Sequence, residues 1–159
     1  MHFGNILTAD SANGPGIRLS LFVSGCTNHC KGCFQPETWD FEYGKLYTQD
    51  TENYIISELS KPYYQGLTIL GGDPMEFDNQ KALLPLIKRV KTELLNKDIW
   101  IYTGFLYEDL LSGGRRYIKR ITDEFIKNID VIVDGPFELD KKNITLEFRG
   151  SSNQRIIYL

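Results

Sequence analysis

Three cysteines, the only ones in the chain, fall within eight residues as Cys26, Cys30 and Cys33. They follow an apolar stretch from Ile17 to Val23, so the loop that carries them leaves the end of a predicted strand. Closely spaced cysteine thiolates are typical ligands of a metal centre. Three thiolates can hold three irons of a 4Fe-4S cluster and leave the fourth iron without a protein ligand, where a small molecule can bind.

The same cysteines could instead bind zinc or bind no metal. A structural zinc site would use the three thiolates with His29 or His2 as the fourth ligand. His29 adjoins Cys30, which makes joint chelation awkward, and zinc sites of this kind usually pair two short motifs. Three inert buried thiols are also possible, but such residues rarely fall together in a loop rich in glycine, asparagine and lysine. The iron-sulfur interpretation is therefore favoured.

The composition is that of an ordinary globular chain of 159 residues, and we expect one domain over residues 1–159. A net charge of -3 with dispersed lysines and arginines provides no basic surface for nucleic acid, and Arg115 and Arg116 are expected on a solvated face. No apolar run reaches the ~20 residues of a membrane span. Closely spaced cysteines in odd number fit a reducing compartment. We therefore expect a cytoplasmic protein that binds neither nucleic acid nor membranes.

Short apolar runs alternate with segments of helical period, which is typical of parallel β-α units. The predicted fold is α/β with a mostly parallel sheet. Strands are predicted at 17–23, 67–70, 99–102 and 131–133, β-like runs at 144–148 and 155–158, and helices at about 51–59, 79–95 and 118–126. Pro85 should kink the second helix or mark a restart.

Four loops follow the carboxyl ends of the predicted strands, and ligands of open parallel α/β sheets bind at that edge. They are the cysteine loop, Gly71-Gly72-Asp73, Thr103-Gly104 and Asp134-Gly135. Paired glycines let the main chain approach a ligand, and an aspartate can accept from an ammonium group. The alternatives are a tight turn with a capping Asp73, a capping Thr103 and a turn aspartate at Asp134. We expect the four loops to converge on one site.

Several segments of the chain resemble a known family. The spacing Cys26-x3-Cys30-x2-Cys33 is similar to the signature of radical S-adenosylmethionine enzymes, and the wider sequence resembles the activating proteins of anaerobic ribonucleoside-triphosphate reductase. The matching segments are Asn13-Gly14-Pro15-Gly16-Ile17-Arg18, Leu21-Phe22-Val23-Ser24-Gly25-Cys26, Lys31-Gly32-Cys33-Phe34, Thr38-Trp39, Gly71-Gly72-Asp73-Pro74, Lys97-Asp98-Ile99-Trp100-Ile101-Tyr102-Thr103-Gly104, Val133-Asp134-Gly135 and Arg149-Gly150-Ser151-Ser152-Asn153-Gln154. Many radical enzymes have an aromatic residue before the third cysteine, whereas this chain has Gly32 there and Phe34 after it, as the reductase activators do.

The resemblance implies a cofactor set and a fold. Cys26, Cys30 and Cys33 would hold one 4Fe-4S cluster, and the amino and carboxylate groups of S-adenosylmethionine would chelate its fourth iron. The implied cofactor-binding residues are Gly32, Cys33, Phe34, Gly71, Gly72, Asp73, Thr103 and Asp134. Phe34 would pack either on the adenine or in the core. Since a full eight-unit barrel needs ~200 residues or more, this chain would form a partial, laterally open (βα) barrel of the radical S-adenosylmethionine type.

The resemblance also implies a reaction and partners. Reductive cleavage of S-adenosylmethionine would give a 5′-deoxyadenosyl radical that abstracts hydrogen from a glycine in the large subunit of the reductase, leaving a glycyl radical. The electron donor would be of flavodoxin, ferredoxin or thioredoxin type. Two further functions stay open: a compact radical enzyme acting on a small molecule, similar to deazapurine synthases, and a non-enzymatic zinc-binding module. Roles for residues 13–16 and 150–154 are undefined at this point.

Overall fold

The apolar runs of the chain form the centre of a seven-stranded sheet in a computed structural model that describes all residues from Met1 to Leu159. The strands are β1 His2–Asp10, β2 Arg18–Val23, β3 Lys45–Leu46, β4 Gly66–Gly71, β5 Asp98–Tyr102, β6 Val131–Asp134 and β7 Arg155–Tyr158. The helices are α1 Gln49–Leu59, α2 Phe77–Glu93 and α3 Ile121–Lys127. The strand order is β3-β1-β2-β4-β5-β6-β7, and the sheet does not close into a barrel.

The sheet is mixed, so the prediction of a mostly parallel sheet is wrong. Strands β2, β4, β5 and β6 are parallel, but β1 and β3 on one side and β7 on the other are antiparallel to their neighbours. Strand β1 was not predicted because only Phe3 and Asp10 of its nine residues are buried. A strand without a regular apolar alternation carries no sequence signal of period two.

Two further segments differ from the predictions, residues 144–148 and the start of the third helix. Residues 144–148 form turns instead of a strand, and Ile144 is 91% exposed, because no neighbouring strand covers this segment. Helix α2 continues through Pro85 as one element, so Pro85 does not mark a restart. Helix α3 begins at Ile121, three residues later than predicted, because Arg120 before it has a φ of 69°. The cap of α1 is Thr48, whose hydroxyl accepts from the Thr51 N–H.

The two faces of the sheet have different chemistry. One face packs against the helices through a core of 22 buried residues that includes Leu19, Leu21, Ile69 and Ile101. Phe22, Leu70 and Tyr102, which alternate with core residues along β2, β4 and β5, line a cavity on the other side, since side chains of a strand alternate between faces. No helix combines the length and the hydrophobicity that crossing a bilayer requires.

Candidate functional site

The cavity lies at the carboxyl ends of the parallel strands and has a volume of about 470 Å³. A volume of this size is in the range of small-molecule binding sites. The structure brings the four predicted loops together at its wall: the cysteine loop, residues 71–73, residues 103–104 and Gly135 all line it. One side of the cavity consists of the irregular chain between β6 and β7, including Lys142, Phe148 and Arg149.

All three cysteines line this cavity as free thiols. Burial, together with the charge of Asp73, raises the pKa of the Cys26 thiol to about 11, and burial also raises the pKa of Cys30. The main-chain N–H of Gln35 donates to Cys33 Sγ at 3.5 Å, and Asn28 Nδ2 lies 3.7 Å from Cys26 Sγ. Binding of a metal centre by these thiols must therefore release protons, since the ligand form is the thiolate.

Asp73 is a buried junction between three of the loops, with no exposed surface. Its Oδ1 accepts from Thr103 Oγ1 at 2.8 Å and from the Met75 N–H at 2.9 Å. Its Oδ2 accepts from Asn28 Nδ2 and from the Gly104 N–H, both at 2.9 Å. Burial raises the pKa of the Asp73 carboxyl to about 6, and the hydrogen bonds oppose this shift. The carboxylate thus ties the cysteine loop to the end of β5.

Gly71 ends β4 in a conformation that a side chain would obstruct. Its φ is 106°, and a Cβ there would lie 2.7 Å from the carbonyl oxygen of Val23. The next two residues bond to the segment entering the cysteine loop: the Gly72 N–H donates to Val23 O at 2.7 Å, and the Asp73 N–H donates to Gly25 O at 2.8 Å. Gly72 lines the cavity, and its carbonyl accepts no main-chain hydrogen bond.

Phe34 lies at the mouth of the cavity and is 65% exposed. Its ring packs on Phe137 with centroids 5.0 Å apart, and the Lys142 ammonium lies 5.2 Å from its centroid. The ring is therefore largely exposed, unlike that of a core phenylalanine. Gly32 is exposed, has a φ of 76° and does not line the cavity.

Thr103 and Asp134 end neighbouring strands but have different surroundings. Thr103 lines the cavity with its hydroxyl bonded to Asp73. Asp134 is fully buried and is not part of the cavity wall. Its Oδ1 accepts from Arg155 Nε at 2.9 Å, its Oδ2 also accepts from the same guanidinium, and the Tyr107 N–H donates to it at 2.7 Å. The structure therefore does not bring the Asp134 side chain to the site, because β7 supplies it with a cationic partner.

Comparisons with known proteins agree with this geometry. Residues 12–157 match the family model described as a 4Fe-4S single cluster domain. The chain is 41% identical over 158 residues to the anaerobic ribonucleoside-triphosphate reductase-activating protein of Enterobacteria phage T4, which covers 98% of this chain and 93% of that one. The activating protein of Vibrio cholerae is also 41% identical, with 98% and 97% covered, and that of Escherichia coli K12 is 36% identical, with 100% and 99% covered. The chain belongs to this family of reductase-activating proteins.

The thiols of Cys26, Cys30 and Cys33 are chemically suited to bind the 4Fe-4S cluster that the family model describes. The donor set is three soft sulfur ligands on one cavity wall, with N–H groups near two of the sulfurs. No three His, Cys, Asp or Glu side chains are grouped as ligands of a single metal ion. His29, one of the two candidates for a fourth zinc ligand, stacks on Trp39 with ring centroids 4.6 Å apart.

The structure of this activating-protein family member contains a brace that the sequence did not predict. Glu76, which is buried, accepts at Oε1 from the N–H and the hydroxyl of Thr27, at 2.8 and 2.6 Å. Its Oε2 pairs with Arg116 Nη1 at 3.1 Å, and Arg116 Nη2 donates to Thr27 Oγ1 at 2.6 Å. The guanidinium also lies 4.0 Å from the Phe105 ring centroid. We call these three residues, Thr27, Glu76 and Arg116, the loop brace.

The loop brace corrects the expectation that Arg115 and Arg116 both lie on a solvated face. The Arg115 side chain is 64% exposed and pairs with Asp109, as expected, but that of Arg116 is only 16% exposed. The sequence could not distinguish the buried Arg116 from the exposed Arg115, because the partners of Arg116 are distant along the chain. Glu76 is 40 residues away from Arg116, and Thr27 is 89 residues away. Asn28, which links Asp73 to the cysteine loop, was missed in the same way despite lying between Cys26 and Cys30.

Two segments of undefined role support the cavity walls. The carbonyl of Asn13, a residue that lines the cavity, accepts from Thr68 Oγ1 at 2.8 Å, and its side chain bonds to Asp10. The side chain of Gln154 accepts from the Gly150 N–H at 2.8 Å and donates to the Gly135 carbonyl at 3.0 Å. These contacts fix the chain that carries Arg149 beside the end of β6.

Proposed function

We propose that this protein activates an anaerobic ribonucleoside-triphosphate reductase by generating a glycyl radical in its large subunit. The observation that carries the proposal is the full-length similarity to reductase-activating proteins of a phage and of several bacteria, in a chain whose only cysteines line one cavity. A 4Fe-4S cluster held by Cys26, Cys30 and Cys33 has one iron without a protein ligand, which S-adenosylmethionine would occupy.

When bound, the cluster and S-adenosylmethionine would supply the radical chemistry: one-electron reduction would cleave a carbon-sulfur bond of S-adenosylmethionine, and the resulting 5′-deoxyadenosyl radical would take a hydrogen atom from a glycine. The protein holds the cluster, orients the ligand and excludes quenchers. Residues 71 and 72 would bring their main chain to the ligand, and the Gly72 carbonyl would accept from its amino group. The exposed face of Phe34 would lie against the adenine, beside Gly32 and Cys33.

Asp73 acts in this proposal as a positioning residue. Each of its oxygens already accepts two hydrogen bonds, so an ammonium group would have to displace a donor to reach it. Thr103 acts with it, since its hydroxyl is one of those donors. Asp134 has no contact with the ligand in this proposal and instead fastens β7 through Arg155.

The finer description of the fold also belongs to the proposal. Residues 1–159 would form a single radical S-adenosylmethionine domain, a partial and laterally open barrel built on β2, β4, β5 and β6. Four parallel strands with helices on one face and a ligand cavity at their carboxyl ends support it. The unpaired thiols and the need for a strong reductant favour a cytoplasmic setting with an electron donor of flavodoxin, ferredoxin or thioredoxin type.

Anaerobic reconstitution tests the cofactor part of the proposal. With iron, sulfide and dithionite, the protein should bind about four irons per chain and release 5′-deoxyadenosine from S-adenosylmethionine. Cys30→Ser should lose the cluster and this release while keeping its far-ultraviolet circular dichroism, because Cys30 lies outside the buried core. Colourless protein that binds zinc and never cleaves S-adenosylmethionine would contradict the proposal. Full iron binding and cleavage by Cys30→Ser would contradict the ligand assignment.

A further inference from the structure

Asn28 lies in the cysteine loop between two exposed residues, Thr27 and His29, but is itself half-buried and lines the cavity. Its Nδ2 atom lies 2.9 Å from Asp73 Oδ2 and 3.7 Å from Cys26 Sγ, and the longer distance suits the larger sulfur atom. An amide nitrogen carries two hydrogens, so this one atom can donate to both acceptors. A single side chain therefore connects the buried carboxylate to a cysteine sulfur.

The orientation of the Asn28 amide is determined by its surroundings. If its oxygen and nitrogen exchanged places, Asn28 Oδ1 would face Asp73 Oδ2, an acceptor against an acceptor. Gly104 leaves the space that the amide occupies, because a Cβ at that position would lie 2.4 Å from Asn28 Nδ2. The amide therefore presents its N–H groups, and not its oxygen, to Asp73 and Cys26.

The chain on both sides of Asn28 is also held in place. The loop brace binds Thr27 through the carboxylate of Glu76, and the ring of His29 stacks on Trp39. His29 has a φ of 46°, a conformation that a residue other than glycine keeps only where the surrounding structure imposes it. These contacts fix the position from which the Asn28 side chain reaches the sulfur.

Cys26 is the cysteine for which such a contact has the largest effect. It is buried, with 9% of its surface exposed, whereas Cys30 and Cys33 are only half-buried. A hydrogen bond is electrostatically stronger where solvent is excluded, because the local dielectric constant is lower. Hydrogen bonds to the sulfur ligands are among the factors that set the reduction potential of an iron-sulfur cluster. The contact between Asn28 and Cys26 therefore bears on how readily a cluster at this site accepts an electron.

The sign of the effect follows from the charge that reduction adds. One electron from the donor protein gives the cluster one further negative charge, with no bond broken and no proton taken up. Part of that charge lies on the sulfur ligands, so an N–H group that donates to Cys26 Sγ stabilises the reduced state more than the oxidised state. Asn28 would thus make the reduction more favourable.

We propose that Asn28 is a positioning residue that raises the reduction potential of the cluster by donating a hydrogen bond to Cys26 Sγ. The inference rests on the proposed function, in which Cys26 is a cluster ligand, and specifies how the chain adjusts the step that starts the reaction. Asp73 orients the Asn28 amide for this task, since it accepts from the same nitrogen. Asn28 acts through Cys26 and needs no contact with either substrate.

The test measures the midpoint potential of the reconstituted cluster without S-adenosylmethionine, by redox titration followed with electron paramagnetic resonance. Asn28→Leu removes the amide at similar volume and should make reduction about tenfold less favourable, which lowers the potential by about 59 mV for a one-electron couple. Thr103→Val is the matched control, because it also removes one donor to Asp73 but makes no hydrogen bond to a cysteine. Its potential should equal that of wild type. Denaturant titration of the iron-free variants measures the loss of stability that both share.

A second measurement uses the wild-type protein, so it tests the inference even if Asn28→Leu assembles no cluster. Asparagine labelled with nitrogen-15 in its side-chain amide is incorporated into the protein. Pulsed electron paramagnetic resonance of the reduced cluster should then detect a coupled nitrogen-15 nucleus. Asn28→Ala, a smaller replacement that also removes the amide, should lose this coupling, whereas Thr103→Val should retain it.

The outcomes separate this inference from the proposed function. An unchanged potential in Asn28→Leu, an equal shift in Thr103→Val, or the absence of nitrogen-15 coupling in the labelled wild type would overturn the inference. The proposed function would stand in each case if the wild type still forms the glycyl radical. A lower potential in Asn28→Leu alone, in a protein whose wild type forms no glycyl radical on a competent reductase, would refute the proposed function and still support the role of Asn28.

Discussion

At the scale of single residues, Asp73 shows how a side chain can be predicted at the site and yet have a different task. The sequence indicates an acceptor for an ammonium group, and the structure places that acceptor beside the cysteine loop. Three of its four donors lie far away along the chain: Asn28 by 45 residues, Gly104 by 31 and Thr103 by 30. Only the tertiary fold determines such long-range pairing, so the sequence could identify the residue but not its partners.

Asp73→Asn should lower the free energy of unfolding by about 2 kcal/mol, the penalty typical of leaving a buried donor unpaired. Each carboxylate oxygen accepts from one main-chain N–H, so either orientation of the new amide sets its NH₂ group against a fixed donor. Denaturant titration of the protein without iron measures the change. Asp78→Asn is the control, because the Asp78 side chain is 79% exposed and should tolerate the substitution. Equal stability of Asp73→Asn and wild type would show that the junction at Asp73 is dispensable.

At the scale of secondary structure, the elements that position the site were the most predictable. The runs that became β2, β4, β5 and β6 are apolar because both faces of a central parallel strand are covered, and the loops after them carry glycines and short polar side chains. The flanking antiparallel strand β1 and the turns at 144–148 were mispredicted, because exposed chain segments do not need an apolar pattern. The cysteine loop was located from spacing alone, but its loop brace was not.

The loop brace predicts a difference between two adjacent arginines. Arg116→Ala should lower the free energy of unfolding by about 3 kcal/mol, because it leaves the Glu76 carboxylate buried without a cation. Thermal and denaturant unfolding of the iron-free protein measure the effect. Arg115→Ala is the matched control and should change stability little, since that side chain forms an exposed ion pair. If the two variants are equally stable, the brace does not hold the cysteine loop.

Gly71 gives a second prediction at this scale. Gly71→Ala should lower the free energy of unfolding by about 2–4 kcal/mol. The new Cβ would lie 2.7 Å from the Val23 carbonyl oxygen, and alanine is also strained at a positive φ. Gly113→Ala separates these two causes: Gly113 has a φ of 88°, but no atom lies within 4 Å of its added Cβ. Gly113→Ala should therefore lower the free energy of unfolding by only about 1 kcal/mol. The difference between the denaturation midpoints of the two variants measures the effect of the close contact between β4 and β2. Equal midpoints would argue against that contact.

At the scale of the whole molecule, the unequal faces of the sheet explain how a short chain can act on a large substrate. Three helices cover one face through the apolar core, whereas the other face is covered only in part, by the segments around Asn13 and Arg149. The edge strands β3 and β7 do not pair with each other, so the sheet is not closed. An unclosed sheet fits the proposal that a segment of the reductase enters the cavity.

The most direct measurement of the central claim follows a hydrogen atom from the reductase to the cofactor. The reconstituted protein is mixed anaerobically with S-adenosylmethionine, reductant and reductase large subunit that contains glycine deuterated at Cα. We predict that unlabelled reductase gives a glycyl-radical doublet in electron paramagnetic resonance, that the doublet collapses with the labelled subunit, and that deuterium appears in 5′-deoxyadenosine. Release of unlabelled 5′-deoxyadenosine with no doublet from a competent reductase would contradict the account and favour a small-molecule substrate.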